Sequence, residues 1–382
     1  MKKGASGESA GAVAPTRAVA APTKTTALTP EEGAFAEVVS LIRAARGRAL
    51  QAVNTEMVDL YWRLGQYLHD KIQADGWAKS TVVRLAAYIA HRDPGARGFS
   101  PQNLWRMRQF FETYAEEGSG ETRLSTLLRA LPWSSHLHIM SRAKRPEERE
   151  FYLRMAVQYR WQVREVARQI DGALFERAVL NPPKLSTALR EMHPQASSQF
   201  KDGYMLEFLA LPDPHSEADL HQALLQNLGR FLTELGPDFC YIASEYLVQV
   251  GNQDFAIDLL FFHRGLNCLV AIELKVTAFA PEHLGKLNFY LEALDRDVRK
   301  PHENPAIGVL LCASKDSEVV EYALSRTLSP ALVAQYQTQL PDKAMLAAKL
   351  HEFYALNAPV AEAEPAPAVA TPARRKKKGG QA

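Results

Sequence analysis

This chain of 382 residues lacks most of the features that would make it secreted, membrane-spanning or stapled. It has three cysteines, Cys240, Cys268 and Cys312, each in an apolar, strand-like context and none in a Cys-x-x-Cys spacing. That excludes a disulfide framework and argues against a zinc site, and a reducing cytoplasm is the expected setting. No apolar run approaches the ~20 residues needed to span a bilayer. The N-terminus has two lysines but no continuous hydrophobic segment, so a secretory signal is not expected. No internal repeat is visible. Charge of either sign is also scarce in net terms: the formal sum is +2, and Arg374-Arg-Lys-Lys-Lys378 supplies five positives, leaving roughly −3 elsewhere. Any grip on nucleic acid must therefore come from local patches.

Residues 1–30 and 357–382 are rich in Ala, Pro, Thr or Gly without periodicity, which predicts a disordered arm and a disordered basic tail. The tail is read either as a phosphate contact or as a solubilising end. Residues 31–178 have helical spacing in stretches such as Val38–Val53, Met57–Ile72 and Glu147–Phe175. Asn181-Pro-Pro183 punctuates the end of that part, and 179–203 reads as a linker. From 204 to 356 strand and helix signals mix. Strands are expected at Tyr241–Val250 and Ile307–Ala313, and helices at Pro281–Asp295 and Ser317–Ser325. The length suits two cores.

The most informative stretch is a pair of apolar tracts, Phe255-Ala-Ile-Asp-Leu-Leu-Phe-Phe262 and Cys268-Leu-Val-Ala-Ile-Glu-Leu-Lys-Val276. They are apolar at odd and even positions alike, as strands buried on both faces are. Asp258, Glu273 and Lys275 break the pattern. An ion out of water costs several kcal/mol unless it is paired or bound to metal. With Gly265-Leu266 as a two-residue type II′ turn, the register pairs Arg264 with Asn267, Leu260 with Ala271 and Asp258 with Glu273. Opposed carboxylates at that spacing repel unless a cation lies between them. Mg²⁺ or Mn²⁺ meets that need, because such ions take one or two carboxylates and fill the rest with water and phosphate oxygens. Lys275, two residues on, shares the face of Glu273 and is placed to orient or deprotonate a water. The bland alternative is a buried ion pair with one acid left uncompensated.

The acid on one strand and the Glu273-Leu-Lys275 run on the next resemble the core of the PD-(D/E)XK nuclease superfamily. The longer runs Asp254–Phe262, Leu269–Lys275 and Asn288-Phe-Tyr-Leu291 are similar to the YhcG-like family of predicted bacterial nucleases, over positions 35 to 355. The resemblance implies an α-helical N-terminal domain followed by an α/β restriction-endonuclease-like domain with a mixed central sheet flanked by helices. It also implies an acid from the helix before the sheet, matched by Glu217. The other reading of Glu217 is a first-turn acid on the helix dipole. Ser216 is the expected N-cap, with Leu220, Leu224, Leu228 and Phe231 as the apolar stripe and His221 on the face of Glu217. Relatives carry Gln-x-x-x-Tyr on a later helix, where this chain has Lys286 and Tyr290, so the glutamine is replaced by a possible phosphate contact.

In the helical part, Ser80–His91 reads as one helix and Ser100-Pro101 opens another, with Asp93–Gly98 between them. Leu104, Met107, Phe111 and Tyr114 are expected to face inward, leaving Gln102, Asn103, Arg106 and Gln109 outward. Between Trp77 and Phe111 six Lys/Arg oppose one acid. A helix-turn-helix contacting DNA through Gln102, Asn103 and Arg106 is one reading. A helical hairpin with a solvated basic face, or a homo-oligomer interface, is the other. His136 and His138 have no acid or cysteine cluster to make a metal site and read as surface or packing residues; Glu245 and Asp254, near strand ends, read either as further members of the acidic cluster or as solvent-facing or turn residues. The sequence thus favours a Mg²⁺-dependent nuclease acting on DNA rather than RNA, with an inactive DNA-binding or scaffold protein as the rival.

Overall fold

The computed structural model describes residues 30–115 and 122–356; but for Pro30, the expected arms at 1–30 and 357–382, with Arg374–Lys378, lie outside them. Contacts divide the chain at Val53/Asn54. In the first unit the described residues are helical, and 38–53 are exposed.

The second unit opens with the rest of α1 (Pro30–Asp75), followed by α2 (Lys79–Arg92), α3 (Pro101–Ala115), α4 (Thr122–Ala130), α5 (Trp133–Arg142), α6 (Pro146–Gln158), α7 (Val163–Asp171) and α8 (Leu174–Leu180). The helical spacing of Val38–Val53 and Met57–Ile72 falls within α1. That of Glu147–Phe175 is carried by three helices, separated where Arg160 and Ala173 take left-handed conformations (φ 52° and 51°). Helix α3 buries Leu104, Met107, Phe110 and Tyr114. Phe110 rather than Phe111 completes that stripe, and Phe111 lies half-buried against Trp62. Gly65 explains how closely α1 and α3 approach: a Cβ there would sit 2.2 Å from the Met107 carbonyl oxygen. His136 is wholly buried, one ring nitrogen 2.9 Å from the Leu128 carbonyl, as a packing histidine should be.

Residues 179–203, expected to be a linker, carry α9 (Thr187–Met192) and α10 (Ala196–Gln199) and lie within the same unit. The sheet-bearing part follows as β1 (Gly203–Met205), α11 (Glu217–Gln226), α12 (Leu228–Leu235), β2 (Phe239–Val250), β3 (Gln253–His263), β4 (Cys268–Ala278), α13 (His283–Ala293), β5 (Asn304–Ser314), α14 (Ser317–Ser325), β6 (Ala331–Gln337) and α15 (Lys343–Leu356). The expected stripe from Leu220 to Phe231 is split between α11 and α12, because Asn227 leaves helical geometry and turns its side-chain amide onto the Ala223 carbonyl. Strand order is β1-β6-β5-β4-β3-β2, parallel from β1 to β4 and antiparallel through β3 and β2. This is the mixed, helix-flanked sheet that the family resemblance implies.

β3 and β4 are buried on both faces. Leu259, Phe261, Val270, Ile272 and Leu274 join the core under α11 and α12. Ile257, Leu260, Leu269 and Ala271 join the core under α13 and α14. The predicted register holds, with Leu260 opposite Ala271 and His263 opposite Cys268. The turn type does not. Positive φ falls at Asn267 (51°), not at Gly265, so the reversal is a turn over Arg264–Asn267 rather than type II′. The Arg264 amide bonds the Asp238 carbonyl and Asn267 bonds Asn304 and His302, so tertiary contacts rather than glycine fix the loop.

The helical and sheet-bearing parts share a buried charge network. Arg168 of α7 donates to Glu207, to the Met205 carbonyl and to Glu234 of α12, which Lys201 also reaches. Glu234 is fully buried. At the far end of the chain α15 turns back: Lys343 meets Glu148 and the Ile170 carbonyl, and Leu350 is buried among helical-part residues.

Candidate active site

The site lies where β3 and β4 part. Main-chain pairing stops at Leu259–Ile272, so Asp258 and Glu273 follow in register but are not a ladder pair, contrary to expectation. Strand alternation slips here: Ile257 and Leu259 pack on opposite faces though two residues apart. On β2, Glu245, flanked by the partners of Leu259 and Ile257, is left-handed at φ 49°. The deformation frees the Leu274 amide, and Asp258 Oδ2 accepts its hydrogen bond at 2.8 Å. His221, on α11, lies with Nε2 3.2 Å from the Asp258 carbonyl oxygen.

Glu273 is 1 % exposed and faces two ammonium groups. Its Oε1 is 3.1 Å from Lys275 Nζ and 2.7 Å from Lys286 Nζ, while Oε2 is buried without a hydrogen-bond partner. Lys275 Nζ also lies 3.2 Å from both carboxylate oxygens of Glu217 and donates to the Leu274 carbonyl at 2.9 Å. Glu217 begins α11 behind a capping box between Ser216 and Asp219, which fixes where the helix points it. On α13, Tyr290 is buried and donates to the Ala256 carbonyl at 2.6 Å; the Lys286 ammonium lies 5.3 Å from its ring centroid. The structure therefore brings Asp258, Glu273, Lys275, Glu217, Lys286 and Tyr290 together.

Burial raises the pKa of Asp258, and the charge of Glu273 raises it further. Burial works against the ammonium of Lys275, yet the Glu273 and Glu217 carboxylates prevail and raise its pKa. Lys286 is raised in the same way, mainly through Glu273.

Residues 197–351 match the YhcG PDDEXK nuclease domain, and residues 37–177 match the DUF1016 N-terminal domain. The curated protein "Putative nuclease YhcG" of Escherichia coli (strain K12) is 31 % identical over 348 residues, covering 82 % of this chain and 92 % of that protein. The chain belongs to the YhcG family. A structural comparison also matches a repair endonuclease from Pyrococcus abyssi, with TM-score 0.23, 14 % identity, 34 % of this chain and 48 % of the other; at that score the likeness carries no argument.

For a YhcG-family chain the donor set can be tested against a divalent ion. Among the described residues no group of three or more His, Cys, Asp or Glu closes on one point. Asp258 and Glu273 lie near enough for the charge of Glu273 to be felt by Asp258, and Glu273 Oε2 has no partner to lose. That suits an ion that keeps most of its sphere for water and phosphate, and not a closed zinc centre.

Sequence reasoning missed His221's contact with Asp258, the Leu274 amide and the kink at Glu245, all of which act through backbone that no side-chain pattern reports. In the helical part Gln102 and Arg106 face solvent. Asn103 instead donates to the Gly98 carbonyl at 2.5 Å and accepts from Trp133 Nε1 at 3.0 Å, so its side chain closes the α2–α3 loop.

Proposed function

We propose that this nuclease-family chain hydrolyses phosphodiester bonds in DNA with the help of Mg²⁺ or Mn²⁺. The observation that supports the reading is the meeting, where β3 and β4 part, of Asp258 and Glu273 with a lysine clamped between Glu273 and Glu217. Asp258 and Glu273 hold the ion, whose Lewis acidity offsets charge building on the phosphate. Lys275, kept as an ammonium by its two carboxylates, orients the attacking water and donates to the phosphate; the water gives its proton to bulk solvent as the P–O bond to the departing sugar oxygen breaks. Glu217 fixes Lys275. His221 and the Leu274 amide fix Asp258. In the helical part, the exposed side chains of Gln102 and Arg106 on α3 support duplex binding, and a homo-oligomer through the same helices is the competing use.

Cleavage of DNA by the intact chain in Mg²⁺ or Mn²⁺ should fall at least about 100-fold in Asp258→Ala and in Lys275→Ala, the loss expected when a transition-state contact goes. A second reading, a binding protein that keeps the fold without the chemistry, draws on the lysines already neutralising Glu273. It wins if no form of DNA or RNA is cleaved while duplex binding persists.

A further inference from the structure

The chemistry around Glu273 poses a problem that the nuclease reading leaves open: the acid meant for a metal already has a cation. Its two lysines are not equivalent. Lys275 is largely buried, at 16 % exposure, and is tied to Glu273, to both oxygens of Glu217 and to the Leu274 carbonyl. Lys286 is 49 % exposed, sits on a different element and makes the shorter contact, 2.7 Å against 3.1 Å. One lysine is built in; the other lies at the rim.

Charge arithmetic separates their roles. Three carboxylates (Glu217, Asp258, Glu273) and two ammonium groups (Lys275, Lys286) leave the cluster one negative charge in total. A divalent ion makes it positive by one, and a phosphodiester then brings it to neutral. With an uncharged residue at 286, the divalent ion alone would reach neutrality. An imbalance of one unit in a half-buried cluster is worth far more than in bulk water.

We propose that Lys286 is the resident counter-cation of Glu273, displaced by the divalent ion and taken up by the substrate phosphate, so that metal and nucleic acid bind this site cooperatively. The inference rests on the reading of Asp258 and Glu273 as metal ligands. It assigns Lys286 the role of gating metal occupancy, beyond that of a simple phosphate contact. Because coupling is reciprocal, whatever phosphate adds to metal affinity, metal adds to phosphate affinity. The ion is then held more tightly when there is something to cut.

The test is Mn²⁺ binding to the full chain, read by the electron-paramagnetic-resonance signal of free Mn²⁺, with and without a phosphorothioate-backbone DNA duplex that resists hydrolysis. Lys286→Gln should bind Mn²⁺ at least about fivefold more tightly than the unaltered chain when no DNA is present, a typical coupling size. Lys286→Arg, which keeps the charge, should not. The duplex should tighten Mn²⁺ binding in the unaltered chain and do so less in Lys286→Gln. Equal Mn²⁺ affinity in the unaltered chain and Lys286→Gln, or no effect of duplex on the unaltered chain, overturns the proposal. Asp258→Ala provides the separate check: if it binds Mn²⁺ as well as the unaltered chain, the metal-site reading itself has failed, and not the role of Lys286.

Discussion

Each side chain at the strand fork takes its role from the charge it faces. Asp258, pushed upward by burial and by Glu273, should lose a bound divalent ion on acidification sooner than an ordinary aspartate would, because only its ionised form is a ligand. Glu217 holds Lys275 from the solvent side at 48 % exposure. Glu217→Gln should therefore cost about tenfold in cleavage rate and leave thermal stability within about 0.5 kcal/mol, as for most exposed positions. Asn103 and Arg106 should behave in opposite ways. Asn103→Ala should lower stability by about 1–2 kcal/mol through its two lost hydrogen bonds. Arg106→Ala should leave melting unchanged but weaken duplex binding and flatten its salt dependence, as measured by fluorescence anisotropy at several salt concentrations. The acid–acid–lysine set was legible because charges in a doubly buried strand need a partner or a bound ion. Asn103 was misleading because helical periodicity reports which way a residue points, not what the next loop brings to it.

Elements obey longer rules than their own periodicity. Strands β3 and β4, α14 and the start of α3 were legible from apolar pattern and caps. The break at Asn227 and those at Arg160 and Ala173 were not, since the apolar stripe runs straight through them and tertiary contacts decide where the helix stops. The turn after β3 shows the same limit, with its left-handed residue at Asn267 set by contacts to β5 and Asp238. Two elements depend on single residues. Gly65→Ala drives a Cβ into the Met107 carbonyl, backbone that cannot yield cheaply, and should destabilise by about 1–3 kcal/mol in urea unfolding. Glu234→Gln breaks a buried pair and should cost about 3–5 kcal/mol.

The whole molecule should be acid-sensitive in two stages. Burial holds His136 down from 6.5 to about 4, so its contribution is complete above pH 6.5 and is lost as pH falls toward 4. Burial opposes ionised Glu234, but Lys201 and Arg168 overcome it and hold the carboxyl down from 4.5 to about 2. Its contribution is complete above about pH 4.5 and disappears between there and pH 2. Circular dichroism melts across that range should show both steps, and Glu234→Gln should lose the second.

The return of α15 bears on how this molecule can be taken apart. A fragment cut at the boundaries of the nuclease match, 197–351, would keep Glu234 and Lys201 but leave Arg168 behind, and it would sever α15 just after Leu350. Homology marks a module there, whereas the electrostatics weld it to its neighbour. Such a piece should aggregate or melt early in gel filtration and calorimetry, and silence from it in a cleavage assay would reflect a lost scaffold and not missing chemistry.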